Sequence, residues 1–333
     1  AASRIARRTM TTRRWILLVA LLVLAAMLSL GVGAVPLAPL AVIRALCGAG
    51  DPTVTSIVND VRLPRMLLAI GAGAALAMSG ATLQGVLRNP LAEPYLLGVS
   101  GGAAVGAVLV TSAGVNAPFG IALAAFGGAG VAVALVLVLA RVAGGRFDSR
   151  ILLMAGVVVG AFANATIMVA LANASPGAVR GALWWMMGSL ADASWRDVSW
   201  LLPVSAAGGA LLLLWGRDID VLSLGEEAAA GLGANVDRAG RALFLTASLL
   251  AAATVAAAGL IGFVGLVVPV LARALGARNA RSTLLASALA GAALLAIADT
   301  VARTLRAPTE LPVGAVTALI GVPFFLVRLG RVR

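Results

Sequence analysis

The chain has 333 residues, 61% of them hydrophobic and 11% charged, with a formal net charge of +12 and a mean hydropathy of +1.05. That composition lies outside the range of soluble globular chains and inside that of polytopic membrane proteins. A single cysteine, Cys47, and no histidine exclude an intrachain disulfide framework and multi-cysteine zinc or iron–sulfur centres, and argue against any metal site on this chain.

All 25 basic residues are arginine, scattered between apolar segments. That spacing argues for positioning in a bilayer and against nucleic acid as a partner. A hydrocarbon core about 30 Å thick takes about 20 mostly apolar residues per helix. Apolar runs at 15–33, 63–86, 95–113, 118–140, 151–172, 195–215, 240–258, 262–276, 281–302 and 311–329 predict about ten transmembrane helices in an all-α polytopic membrane protein. The whole of 1–333 reads as a single transmembrane domain, with membrane lipid as its solvent. The 262–276 run is short and contains Pro269, so a broken or re-entrant element, with eight or nine spans, stays open.

The first run follows Arg4, Arg7, Arg8, Arg13 and Arg14. It reads as a retained first helix with a positive cytoplasmic flank rather than as a signal peptide. Placing the N-terminus inside puts 18 arginines on the inner side, including Arg146, Arg328, Arg331 and Arg333, against 7 outside (Arg44, Arg62, Arg65, Arg180, Arg196, Arg303 and Arg306). The positive-inside rule therefore predicts two cytoplasmic termini and an even number of spans. Residues 36–60 form an outer segment, 173–194 an amphipathic outer helix, and 216–239 the longest inner loop. The Trp184–Trp185 pair reads either as an interfacial belt or as the lining of a substrate vestibule.

Within the second and third spans, Gly73, Ala77, Ala81 and Gly85 share one helix stripe and Gly98, Gly102 and Gly106 another. Such small-xxx-small spacing lets helix backbones approach closely in lipid. In the inner loop, Gly225 precedes a short Ala-rich helix closed by Gly231 and Gly233, with Glu226 and Glu227 placed favourably for the helix dipole.

RLPR (62–65), NPLAEP (89–94), LGVSGG (97–102), GLIGFVGLVVP (259–269), ADTVAR (298–303) and ELPVGAVTALIGVPFF (310–325) occur in one order over nearly the whole chain. In that set the chain closely resembles the permease subunits of bacterial ABC importers for ferric siderophores, haem and cobalamin, the FecCD-like family with the type II ABC importer permease fold. The resemblance implies a homodimer whose central pathway is fed by a periplasmic or lipid-anchored substrate-binding protein. Two cytoplasmic ATPase subunits would drive it, the ATP and magnesium being bound there and no cofactor here. It also implies an inner-membrane location.

The resemblance carries over residue by residue. Glu227, Ala228, Ala229 and Gly233 fit the E-A-A-x-x-x-G pattern, so the loop at about 217–239, with Gly225, Glu226 and Leu232, is the expected ATPase-docking element. Arg62, Arg65 and Arg303 are the expected binding-protein contacts at an exposed rim, where charge steers encounter; snorkelling next to a helix end is the bland reading. The cytoplasmic gate falls on Asn89 and Leu91 and on Asp148 and Ser149, although a charged Asp148 is larger than the family's small polar occupant and has Arg146 and Arg150 beside it. Val270 stands where the family commonly has histidine. Tyr95 and the methionines are then the only soft or anionic ligands left for haem iron, and methionines such as Met154, Met168, Met186 and Met187 more often fill packing gaps.

Two rivals need residues that are scarce here. An ion-coupled secondary transporter needs titratable groups at mid-membrane, whereas Asp299 and Glu310 fall near outer helix ends. An enzyme needs a nucleophile and base within reach, and a chain with no lysine, no histidine and no G-x-x-x-x-G-K-[ST] loop supplies neither that pair nor an ATPase site. No catalytic residue is expected. The substrate is not readable among siderophore, haem and cobalamin.

Overall fold

The computed structural model describes residues 10–115, 117–144 and 147–330, without the side chains of Phe325 and 327–330. Arg4, Arg7, Arg8, Arg146, Arg331 and Arg333, and the Arg328 side chain, all used in the orientation count, lie outside the described residues.

The described residues form helices only, in the order α1 (Thr12–Gly31), α2 (Pro39–Leu46), α3 (Pro52–Ser56), α4 (Leu63–Val86), α5 (Val99–Ser112), α6 (Pro118–Gly144), α7 (Ser149–Ala172), α8 (Pro176–Met186), α9 (Trp195–Leu214), α10 (Gly216–Ser223), α11 (Glu226–Gly231), α12 (Val236–Ala258), α13 (Val264–Ala274), α14 (Ala280–Thr304) and α15 (Val313–Gly330). Each of the ten apolar runs coincides with a helix. Seven are long and apolar enough to cross a membrane unaided: α1, the continuous Pro52–Val86 rod, α6, α7, α9, α12 and α14. The 14 residues of α5 and 11 of α13 rise only about 21 and 16 Å. A 3-10 turn at Pro94–Leu97 lengthens α5. A non-helical stretch, Gly259–Phe263, leads into α13, which then runs unbroken through Pro269, so the break falls at the start of the 262–276 run and not at its proline.

The second span begins earlier than its apolar run. Asp51 caps α3, accepting from the Thr53 and Val54 N–H groups at 2.9 and 3.3 Å, with Pro52 next, a strong helix start. A π-helical stretch, Ile57–Arg62, then joins α3 to α4. It sits just ahead of Pro64, whose missing N–H cannot bond back four residues. The outer segment at 36–60 is thus made of short helices, the last of them an extension of the second span.

Helix α4 is the axis of the bundle. Of its most apolar window 83% is buried, against 22% for α1 and for α9. Lipid supplies little drive for helices to associate, so close backbone packing has to do it. Gly73 of α4 faces Gly291 of α14, and a Cβ on either would overlap the other's carbonyl. Gly102 and Gly128 repeat this between α5 and α6, and between α4 and α13 a Cβ on Gly80 would overlap the Gly265 carbonyl. The small-residue stripes are therefore real contact lines, with two exceptions. Gly98 has φ +83° and starts α5 instead of packing in its stripe, and Gly80, outside the α4 stripe, makes one of the tightest crossings.

The helix ends define two faces. The N-terminal face holds the start of α1, the turn after α4, the α6–α7 connection and helices α10 and α11. The far face holds α2, α3, α8 and the end of α14. Arg14 ties α1 to α13 on the first, donating to the Leu275 carbonyl at 2.7 Å. Trp195 ties α9 to the π stretch on the second, donating to the Asn59 carbonyl at 2.9 Å.

Gly73→Ala and Gly102→Ala should each destabilise the detergent-solubilised protein by about 1–3 kcal/mol through overpacking. Gly127→Ala, where an added Cβ meets nothing within 4 Å, should stay within about 0.5 kcal/mol of wild type. Thermal unfolding followed by tryptophan fluorescence checks both.

Candidate functional site: two faces and a helix break

On the far face three arginines are drawn inward. Arg62, on the π stretch, donates through Nη1 to the carbonyls of Leu30 (2.6 Å) and Gly31 (3.0 Å) and through Nη2 to that of Val35. Arg303 donates through Nη2 to the Ser29 carbonyl and, at 3.2 Å, to its hydroxyl. Together they satisfy the last carbonyls of α1, acceptors that a helix end leaves without intrahelical partners. Arg65 spends both edges of its guanidinium on carboxylates. Nε and Nη2 donate to Asp299 at 2.8–3.0 Å, while Nη1 and Nη2 form a two-pronged pair with Glu310 at 3.0 and 2.9 Å.

Arg62, Arg65 and Arg303 are 5–7% exposed and Asp299 is fully buried. The expectation of an exposed arginine rim is thereby corrected. A guanidinium beside orphan helix carbonyls or a carboxylate in a dry site gains more than it would in water. The exposed arginines of this face are Arg44, Arg180, Arg196 and Arg306. The sequence did carry a signal for the partners, since Asp299 lies in the same ADTVAR motif as Arg303, and Glu310 opens ELPVGAV.

On the N-terminal face α11 is six residues long, preceded by Gly225 at φ +113° and followed by Gly233 at φ +81°. Ala229 is buried, anchoring it, whereas Glu227, Ala228 and Gly233 are exposed and Leu232 is 65% exposed. Glu226 accepts from Arg88 at 3.3 Å, which connects α11 to the turn after α4. Within that turn Asn89 Oδ1 accepts from the Leu91 N–H at 2.9 Å, and Leu91 is exposed.

Asp148 caps α7, its Oδ1 accepting from the Arg150 and Ile151 N–H groups at 2.7 and 3.4 Å. It therefore bonds the backbone of Arg150. Ser149, beside it, is buried. Asp237, in the first turn of α12, accepts from the Phe147 N–H at 2.5 Å. Asp220 of α10 accepts from Ala280 N–H at 2.7 Å and so caps α14. Burial pushes the Asp220 carboxyl up, an effect opposed by that N–H and by Arg281. Both expected gate segments and the start of α14 are thus bonded to the 217–239 element.

A third cluster was not anticipated. Tyr95 and Glu93 accept from the backbone of the α12–α13 break, Tyr95 Oη from Ile261 N–H at 2.9 Å and Glu93 Oε1 from Phe263 N–H at 2.7 Å. Gln84 Nε2 donates to the Gly265 and Leu266 carbonyls at 3.2 and 3.1 Å, and Arg273 donates to Gln84 Oε1. The available signal was a glutamine and a glutamate within otherwise apolar motifs. Tyr95 uses its hydroxyl in this network. Met154 and Met168 are 69% and 74% exposed, so they fill no gap within this chain, because α7 turns that face outward. Trp184 is exposed, while Trp185 packs against the core.

A sequence model of the FecCD transport family matches residues 21–331. The chain belongs to the FecCD transport family. It is 46% identical over 274 residues to the cobalamin import system permease protein of Halobacterium salinarum, covering 82% of this chain and 73% of that one. With the Fe(3+)-citrate import system permease protein YfmE of Bacillus subtilis it shares 39% over 312 residues, 93% and 92% of the two chains. A solved metal-chelate type ABC transporter in an inward-facing conformation superposes with a TM-score of 0.86 at 30% identity, covering 96% of this chain and all of that one. This FecCD-family chain is a multi-pass ABC importer permease.

Asp299→Ala should cost about 3–5 kcal/mol, because it leaves buried Arg303 without its ion-pair partner and buried Arg65 with Glu310 alone. Glu310→Gln, at the half-exposed prong, should cost less. Melting temperatures and membrane yield of the two variants measure the difference.

Proposed function

We propose that two copies of this chain form the membrane pathway of an importer for an iron chelate, such as a ferric siderophore, ferric citrate or haem, or for cobalamin. Two ATPase subunits grip the N-terminal face and a substrate-binding protein docks on the far face. In this reading the N-terminal face is cytoplasmic, both termini lie there, and the membrane is the bacterial cytoplasmic membrane. The relatives named for cobalamin and for Fe(3+)-citrate support the substrate class.

The observation that carries the reading is α11. A six-residue, small-faced helix held at its root by buried Ala229 and ending in exposed Leu232 offers shape without bulk, which suits insertion into a cleft. Arg88, Asp220 and Asp237 then give its motion three routes into the bundle, toward the NPLAEP turn, α14 and the Asp148–Ser149 segment.

For the binding protein, Arg62, Arg65 and Arg303 act by holding the end of α1 and the 305–312 turn in shape. The exposed Arg44, Arg180, Arg196 and Arg306 meet its acidic groups. An ion-coupled carrier is not favoured. The family is one of ABC permeases, and Asp299, the fully buried carboxylate, is neutralised by Arg65.

Ala228→Arg combined with Leu232→Asp should lower retention of the cognate ATPase at least tenfold, as expected when central interface contacts of about 2 kcal/mol or more are lost. Unchanged co-purification would overturn the docking assignment. Stimulation of ATP hydrolysis by the binding protein loaded in turn with ferric citrate, haem or cobalamin identifies the cargo.

A further inference from the structure

Phe263 and Arg88 are the non-glycine residues with positive φ among the described residues, at +69° and +50°. Such a conformation is disfavoured for a bulky side chain and persists only where the surroundings over-determine it. Around Phe263 they do. Its N–H is held by the Glu93 carboxylate, and the N–H two residues earlier by the Tyr95 hydroxyl. Its ring occupies the space above Gly321 of α15. Both acceptors lie at the end of the NPLAEP turn, and Gln84, just before that turn, holds the carbonyls that follow.

Glu93 is a carboxylate in a largely apolar chain, and its hydrogen bond comes from a backbone N–H, not from an arginine. Keeping such a group away from water is costly unless the bond it makes matters. The other end of the same turn carries Arg88, which reaches Glu226 on α11. One short segment therefore touches the docking helix at its start and the helix break at its finish.

We propose that Glu93 is a positioning residue of the transport cycle. Its carboxylate fastens the Gly259–Phe263 break to the NPLAEP turn, so that a displacement received from α11 is delivered to α13 and, through Phe263, to α15. Without that bond the break becomes a slack loop and the turn moves alone. The inference rests on the gate and docking reading proposed above.

The test uses the full complex of permease and ATPase in proteoliposomes, in a Cys47→Ser background, with one cysteine at Leu91 on the turn or at Gly262 in the break. An added side chain at Gly262 meets nothing within 4 Å. Maleimide labelling rates are compared with and without ATP and vanadate. Both positions should change about tenfold in the parent, and in Glu93→Ala the response should survive at Leu91 and fall below about twofold at Gly262, the size of effect a lost buried hydrogen bond allows. Glu93→Gln keeps an acceptor for the Phe263 N–H and should restore the Gly262 response, a rescue that mere destabilisation would not produce.

Tyr95→Phe removes one acceptor and no volume. It should show the same split at smaller amplitude, and it carries the test if Glu93→Ala does not accumulate. An equal Gly262 response in the parent, Glu93→Ala and Tyr95→Phe overturns the latch alone. A Leu91 position that ignores nucleotide in the parent overturns the gate reading and the latch with it.

Discussion

Backbone-to-backbone contact at glycine is the constraint on which the rest of the molecule depends. Inside lipid, helices gain little by hiding apolar side chains from a solvent that is equally apolar. Cohesion has to come from dense packing and from polar groups that find each other. The Gly73–Gly291, Gly80–Gly265 and Gly102–Gly128 crossings supply the first. They bring α4, α13 and α14 close enough for side chains such as Gln84 and Arg65 to supply the second. A single residue with a Cβ at any crossing would separate backbones and loosen the polar contacts stacked above and below.

Polar interactions are accordingly few and concentrated where the helical ladder is interrupted. The end of α1, the π stretch before Pro64, the start of α14 and the α12–α13 break each leave backbone groups that lipid cannot solvate. Arg62 and Arg303 serve the first, Asp220 the third, and Glu93 with Tyr95 the fourth. The same interruptions are where neighbouring helices can change their relation without breaking a continuous ladder. Cohesion and movement thus draw on one small set of side chains.

Much of this was legible in the sequence. Run length and small-residue spacing located the ten helices and two of the main contact lines, because both signals are local. The short helix α11 was legible for the same reason, with glycines on either side of an alanine run. Partnerships between residues far apart in the chain were not. Arg65 and Asp299 are 234 positions apart, and nothing in either motif tells whether an arginine faces water or a carboxylate. The exposed-rim expectation failed there. The extended start of the second span was hidden by Pro64, which reads as a boundary until a π turn absorbs it.

The inward turn of the far-face arginines changes what genetics can reveal about this protein. A strain carrying a reversed charge at Arg65 would lose uptake, yet the defect would report a permease that never matured, not a failed handshake with its delivery partner. On the docking proposed here, recognition proper is to be sought in the neighbouring cations that the fold leaves in water, where an altered side chain spares the scaffold.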